Sequence, residues 1–148
     1  MYIEELTKLI QHSFASIELN SFTGFGVVII EQDFCTLPIS PLLDLSDNSI
    51  YIESMDEVNR FLFDVSRSSD IRHDGFHIYY PEKKILAISQ YFSPPIQSQI
   101  QNVVYNVGAR VRAAQYGSLC QGVIGVITVG NSGKIYQALD GEINQVTN

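Results

Sequence analysis

Apolar residues recur at the three- and four-residue spacing of an amphipathic helix in three segments of the chain. Residues 3–17 carry the first apolar stripe and predict an opening helix. The second stripe follows Ser54, which forms the sequence pattern of a capping box with Glu57, and it predicts a helix to about Ser66. Residues 94–107 predict a third helix, because two prolines precede apolar residues at helical spacing.

Short apolar runs between these segments predict strands. The run "FGVVIIE" at residues 25–31 is apolar on both faces, which is typical of a buried strand. Residues 33–49 predict a loop with at most one short strand, and Gly108 precedes a short helical segment that ends near Tyr116. The remaining predicted strands are residues 50–53, 75–80, 84–90, 122–129 and 134–139, the last of them being the final strand.

This order of elements predicts an α/β (α+β) fold, with a single mixed β-sheet and helices packed on its faces. A length of 148 residues predicts a single domain, residues 1–148. The net charge of −7 argues against a nucleic-acid polymer as partner, because its phosphates would be repelled. No apolar run reaches the roughly 20 residues of a membrane-spanning helix, so no membrane association is expected.

The two cysteines bear on the cellular compartment. Cys35 and Cys120 show neither the spacing of a metal site nor the number needed for a disulfide framework. Free, buried thiols of this kind are typical of a reducing cytosol, and we therefore expect a cytoplasmic protein.

Two motifs indicate a candidate site. Asp74 opens a predicted strand, where its carboxylate can coordinate a divalent cation, and Gly75 allows a ligand to approach the backbone closely. Arg110 and Arg112 follow Gly108 at a helix start, where guanidinium groups and free backbone N–H groups both favour phosphate. The alternatives are a turn-forming Asp-Gly pair and two solvated arginines.

The segments "HDGFHIYYPEKKILAISQYFSPP" and "GARVRAAQYGS" resemble the catalytic domain of bacterial diadenylate cyclases (the DisA N-terminal-like family), and the resemblance covers about residues 54–143. That family carries Asp-Gly-Ala where this chain has Phe76 in third place. It carries Arg-His-Arg where this chain has Val111 in the middle. An acidic pair near the family's last hairpin is replaced here by Asn131 and Ser132.

The resemblance implies a diadenylate-cyclase-like fold and a nucleotide site. Asp74 would hold Mg²⁺ or Mn²⁺ and would be the catalytic residue of an active enzyme, and the base would stack on an aromatic side chain. The implied nucleotide-binding residues are Asp74, Gly75, Phe76, Tyr91, Phe92, Arg110, Arg112 and Ser132.

Three functions are compatible with these residues. The substitutions at the motifs favour a nucleotide-binding sensor of weak or no catalytic activity, which binds an ATP-like ligand or a cyclic dinucleotide and acts on a partner protein or as a homo-oligomer. The first alternative is an active cyclase that condenses two ATP molecules to cyclic di-AMP across a dimer. The second is a structural or interaction domain without a ligand.

Overall fold

The computed structural model of the chain describes residues 1–98, 100 and 102–147. These residues form one sheet with α-helices on both of its faces, and short 3₁₀ turns at Phe34–Thr36, Ile71–His73 and Pro81–Lys83. The helices and strands in chain order are α1 (Tyr2–Phe14), β1 (Phe25–Ile30), β2 (Ile39–Pro41), β3 (Ser49–Tyr51), α2 (Met55–Val65), β4 (Phe76–Tyr80), β5 (Ile85–Phe92), α3 (Ala109–Gly117), β6 (Val123–Val129), β7 (Ile135–Leu139) and β8 (Glu142–Val146).

The sheet has the strand order β2-β5-β4-β1-β6-β7-β8, and β3 pairs with β5 beside β2. β1 runs parallel to β4, whereas the other strand pairs are antiparallel. Every residue of β1 is buried, because β1 lies near the middle of the sheet and is covered on both faces. The predicted fold class, a single mixed sheet with helices packed on its faces, is confirmed.

The two faces of the sheet have separate apolar cores. On one face α1 and α2 pack against alternate residues of β1, with Leu6 and Leu62 fully buried there. On the other face the core includes Val28 of β1 and Ala114 of α3. Because side chains alternate between the two faces along β1, this strand contributes residues to both cores.

The predicted amphipathic helices 3–17 and 54–66 are confirmed as α1 and α2. Ser54 is the N-cap of α2, and its hydroxyl accepts a hydrogen bond of 3.3 Å from the backbone N–H of Glu57. The Glu57 carboxylate reaches one residue further back than in a standard capping box, since it accepts from the N–H of Glu53. In the part of the chain that the structure describes, no helix is long and apolar enough to cross a membrane.

The helix predicted for residues 94–107 is wrong. Its described residues form turns and extended chain, and residues 99 and 101 lie outside the described part. Ile96, the first residue of the predicted stripe, is 81% exposed, and the later residues of the stripe are only half-buried, so the stripe lacks the fully buried contact that would stabilise a helix. Instead, the Gln115 side chain of α3 bonds this segment by accepting from the N–H of Val104 and donating to the carbonyl of Asn102.

Strand β8 was missed, because residues 134–139 were predicted to end the sheet. Asp140 and Gly141 both have positive φ, which is the geometry of a tight hairpin turn, and β8 returns beside β7. β8 is a mostly polar edge strand without a long apolar run, so its only strong signal was the Asp-Gly pair. The expectation of buried thiols is also wrong for Cys35, which is exposed.

His77 lies in the core of the α2 face, where its ring meets the Phe61 ring edge-to-face at 5.6 Å. Its Nδ1 accepts a hydrogen bond from the backbone N–H of Ser89. Burial lowers the pKa of His77 to about 4, and the positive charges of Arg110 and Arg72 contribute. The imidazole is therefore neutral in the folded protein at neutral pH.

The neutral His77 predicts a loss of stability in mild acid. An unfolded histidine takes up a proton near pH 6.5, whereas the folded one does so only near pH 4, so the unfolded state binds more protons between those values. The free energy of unfolding should fall through that window by about 3 kcal/mol.

Urea unfolding of the wild type and His77→Asn from pH 4 to pH 7 would measure this dependence. Asparagine keeps an oxygen near Nδ1 that can accept from Ser89 but does not titrate. Equal slopes of stability against pH in the two proteins would contradict the assignment.

Candidate functional site

Asp74 and Gly75 lie where the 3₁₀ turn Ile71–His73 leads into β4. Gly75 has φ +79°, and a side chain there would place its Cβ 2.6 Å from the carbonyl oxygen of Gln90. This position therefore requires glycine. The Asp74 carboxylate is 73% exposed, and its Oδ1 lies 3.6 Å from Nδ1 of His73.

The turn before Asp74 is fixed by a small polar network. Nε and Nη2 of Arg72 donate to the two oxygens of the Asp70 carboxylate, at 2.9 and 2.8 Å, and these bonds lower the pKa of Asp70. The Ser89 hydroxyl donates to the carbonyl of Arg72 at 2.8 Å. The network ties the turn to β5 and holds Asp74 at the entry to β4.

An aromatic cleft of about 230 Å³ lies between β4, β5 and α3. Five of the eight predicted nucleotide-binding residues line it, namely Gly75, Phe76, Tyr91, Phe92 and Arg110. Tyr91 is 56% exposed at the cleft, whereas Phe76 and Phe92 are buried and pack edge-to-face at 5.2 Å. The other lining residues are Gln90, Ala109 and Ala113.

A second cleft of about 410 Å³, here called the anion cleft, lies at the N-terminus of α3. Arg110 and Lys134 line it, and none of its lining residues in the described part of the chain carries a carboxylate. Thr128 also lines it, and its buried hydroxyl oxygen has no hydrogen-bond partner in the described structure. The full lining is Thr23, Asn106, Val107, Gly108, Ala109, Arg110, Val111, Thr128, Val129, Gly130, Asn131, Ser132, Lys134 and Tyr136.

Backbone N–H groups add to the positive potential of the anion cleft. Gly108 is the N-cap of α3 and offers no side-chain cap, so the N–H groups of the first helical residues are not capped by a side chain. The first N–H of the helix that bonds back is that of Arg112, which donates to the carbonyl of Gly108. Uncapped donors and the helix dipole both favour an anion at this end.

Arg110 lies between the two clefts and lines both. It is half-buried, and it makes no hydrogen bond or ion pair with the residues that the structure describes. Burial lowers the pKa of Arg110, and the negative charge of Asp74 partly opposes this effect. A guanidinium remains charged in any case, so the site holds a partly desolvated cation that has the charge of Asp74 nearby but makes no direct ion pair with the described residues.

The structure does not bring Arg112 to either cleft. Its Nη1 donates to the carbonyl of Val104, and its guanidinium lies over the Tyr105 ring at 5.4 Å. Positions 110 and 112 are two residues apart on α3, which turns their side chains about 200° apart. A clamp that uses both arginines on one phosphate does not form in this arrangement.

Ser132 lies in the exposed turn between β6 and β7, at the anion cleft. The lining residues that were not identified from the sequence include Gln90, Thr128 and Lys134. Gly26 of β1 was not identified either, although a Cβ there would lie 2.5 Å from the ring of Phe76, which lines the aromatic cleft. Gly26 offered a signal in the sequence, because a glycine inside an apolar strand often marks the close approach of another group.

Asp74 is the predicted metal ligand, and its surroundings limit the kind of ion it could hold. Among residues 1–98, 100 and 102–147, no group of three or more histidine, cysteine, aspartate or glutamate side chains could hold a metal ion. A single exposed carboxylate fits Mg²⁺ or Mn²⁺ only where phosphates and water supply the remaining ligands.

The chain matches no protein-family model, and it matches no curated protein by sequence. Its fold is similar to that of solved structures. A hypothetical membrane spanning protein from Bacillus cereus matches 96% of this chain with a TM-score of 0.68 and 17% identity, and this chain covers 61% of that one. DacA from Staphylococcus aureus, a diadenylate cyclase solved as a double mutant, matches 99% of this chain with a TM-score of 0.62 and 18% identity, over 87% of its own length. The chain therefore has a diadenylate-cyclase-like fold.

Proposed function

We propose that this domain binds a nucleotide, with the phosphates at the anion cleft and the base in the aromatic cleft, and that it has weak or no cyclase activity. The observation that carries the proposal is the position of Arg110 between the two clefts. Arg110 is a half-buried cation that lines both clefts and makes no direct ion pair or hydrogen bond with the described residues, so its guanidinium is available to pair with a ligand.

The anion cleft supports the phosphate half of the proposal. Arg110 and Lys134 supply two positive charges on a protein whose net charge is −7. The uncapped start of α3 and the unpartnered hydroxyl of Thr128 add neutral donors. Charge-assisted hydrogen bonds to phosphate are about twice as strong as neutral ones, so these groups supply the main binding energy.

The aromatic cleft supports the base half of the proposal. It offers the exposed Tyr91 ring and the rings of Phe76 and Phe92 as apolar surface, next to the glycine backbone at position 75. Stacking of a base on an aromatic ring contributes about 1–3 kcal/mol. Both clefts share Arg110, so one ligand can place its phosphate and its base on either side of that side chain.

Three positions argue against efficient catalysis. Val111 lines the anion cleft where the family has histidine, and valine cannot transfer a proton. Asn131 and Ser132 line the same cleft where the family has an acidic pair, and they offer only neutral hydrogen bonds. A metal held by Asp74 would neutralise phosphate charge, but positioning for in-line attack would lack those groups. A binding role, with the state of the domain passed to a partner protein or a second copy, fits the retained residues better.

Replacement of Arg110 by methionine should abolish nucleotide binding without harming the fold. Methionine keeps an apolar stem near Gly26 and removes the desolvated charge, so the free protein should gain stability, of the order of 1 kcal/mol. A nucleotide at 100 times its dissociation constant should stabilise the wild type by about 2.7 kcal/mol and leave Arg110→Met unchanged.

Thermal unfolding measures both the stability of the free protein and the shift caused by a ligand. The ligands are purine and pyrimidine nucleoside mono- and triphosphates and cyclic dinucleotides, each with and without Mg²⁺ or Mn²⁺. Arg60→Met is a matched control, since Arg60 is exposed on α2 at the opposite face of the sheet. No shift of the wild type with any nucleotide would contradict the proposal and favour an interaction domain without a ligand.

Incubation with ATP and Mg²⁺ or Mn²⁺ should yield no cyclic dinucleotide, because the histidine and the acidic pair are replaced. Chromatography of the reaction over several hours measures the product. Product that disappears in Asp74→Asn would instead establish the active cyclase, with Asp74 as its metal ligand.

A further inference from the structure

Phe76 and Gly26 are direct neighbours in the parallel pairing of β4 with β1. The Phe76 ring lies across Gly26, and a Cβ added at Gly26 would lie 2.5 Å from Cε2 of that ring. The same Cβ would lie 3.3 Å from Cδ of Arg110. The absence of a side chain at Gly26 therefore allows the phenyl ring to rest on the sheet beside the Arg110 stem.

A second glycine seats the neighbouring ring. A Cβ at Gly117 of α3 would collide with the ring of Phe92, which packs edge-to-face on Phe76. Phe76 and Phe92 are 6% and 5% exposed, so the pair is locked by packing on both sides. These two rings are a rigid wall of the aromatic cleft.

The wall is the fixed part of a small cleft. The aromatic cleft measures about 230 Å³, and Phe76 and Phe92 are the lining residues that packing holds in place. Besides Tyr91 and Arg110, the polar side chain of Gln90 lines the cleft, and its amide nitrogen donates to the carbonyl of Ile88 at 3.0 Å. Its Oε1 forms no hydrogen bond with the described residues and is the acceptor available to the edge of a base.

We infer that Phe76, seated on Gly26, determines specificity by limiting the aromatic cleft to a single-ring base, so that the ligand is a pyrimidine nucleotide. The inference rests on the proposed nucleotide site. The second ring of a purine would meet the phenyl wall, which cannot retreat because Gly26 and Phe92 already enclose it. Gln90 Oε1 can accept from an N–H of cytosine or uracil, but it does not distinguish rings by size.

The test compares dissociation constants of CMP, UMP, AMP and GMP by calorimetry, for the wild type and Phe76→Ala. The wild type should bind the pyrimidine nucleotides about tenfold or more tightly than the purine nucleotides. Phe76→Ala should remove or reverse that ratio, because the vacated space accepts the second ring. Phe76→Leu, a milder change in a packed position, should give an intermediate ratio and covers the case in which the alanine variant does not fold.

The Gly26→Ala substitution tests, without any ligand, whether the absence of a side chain at Gly26 makes room for the Phe76 ring. The added methyl group should displace the Phe76 ring and lower the melting temperature markedly. In the Phe76→Ala background the same methyl group meets no ring, so the loss should be much smaller. Equal losses in the two backgrounds would overturn the steric coupling on which the inference depends.

The binding outcomes separate this inference from the function on which it rests. Equal affinity for purine and pyrimidine nucleotides, unchanged in Phe76→Ala, would overturn the inference and leave the nucleotide site intact. Binding of ribose 5-phosphate as tightly as UMP would also overturn it, since the base would then contribute nothing. The absence of binding by all four nucleotides would overturn both.

Discussion

The parallel pairing of β1 with β4 is the constraint on which the site depends. It places Gly26 beside Phe76 in the middle of the sheet and brings the turn that carries Asp74 to the same end as the start of β1. β6 pairs with β1 on its other side, so the turn after β6 lies at that end too. α3 packs on the face of the sheet to which Val28 contributes, and the first turn of α3 lies between Asp74 and the β6–β7 turn. The two clefts meet at Arg110 because these three connections converge.

Burial of the Arg110 side chain costs the folded protein free energy, and this cost bears on the role of the residue. The half-buried Arg110 side chain loses part of its hydration, and in the described structure the charge of Asp74 offsets this loss only partly, without an ion pair. Arg112, two residues further along α3, has direct partners, since it donates a hydrogen bond to a backbone carbonyl and lies over aromatic rings. A structural arginine would be expected to have such partners. Among the described residues Arg110 has no such partner, so its guanidinium is available to a ligand.

The fold could be predicted where local pattern and tertiary packing agree. α1 and α2 carry clear apolar stripes, and the buried run of β1 needs both faces covered, as it is. The predicted helix at residues 94–107 had an equally regular stripe, yet nothing covers Ile96. Apolar residues at helical spacing indicate that a helix could bury one of its faces, but they do not indicate whether the fold provides a surface to cover that face.

The site was predictable only in part for a similar reason. Asp74, Gly75 and Arg110 were identified from motifs, and the structure places them near one another. The spacing of two arginines suggested a joint clamp, but a helix turns alternate residues to opposite sides. Thr128 and Lys134 reach the anion cleft through strand pairing and a turn, and such contacts leave no mark in a local sequence window.

The changes at the motifs are consistent with one another. Val111 lines the anion cleft where the diadenylate cyclases that the chain resembles carry histidine, and Phe76 lines the aromatic cleft where they carry alanine. Arg110, which lies between the two clefts, matches an arginine of their motif. Loss of the chemistry alone would not require a smaller base cleft, and a narrower cleft alone would not require loss of the histidine. Both are expected if the domain kept the phosphate anchor and came to recognise a different, smaller ligand. In the proposed site the phosphate would supply most of the binding energy through Arg110, and the cleft bounded by Phe76 would decide which base accompanies it.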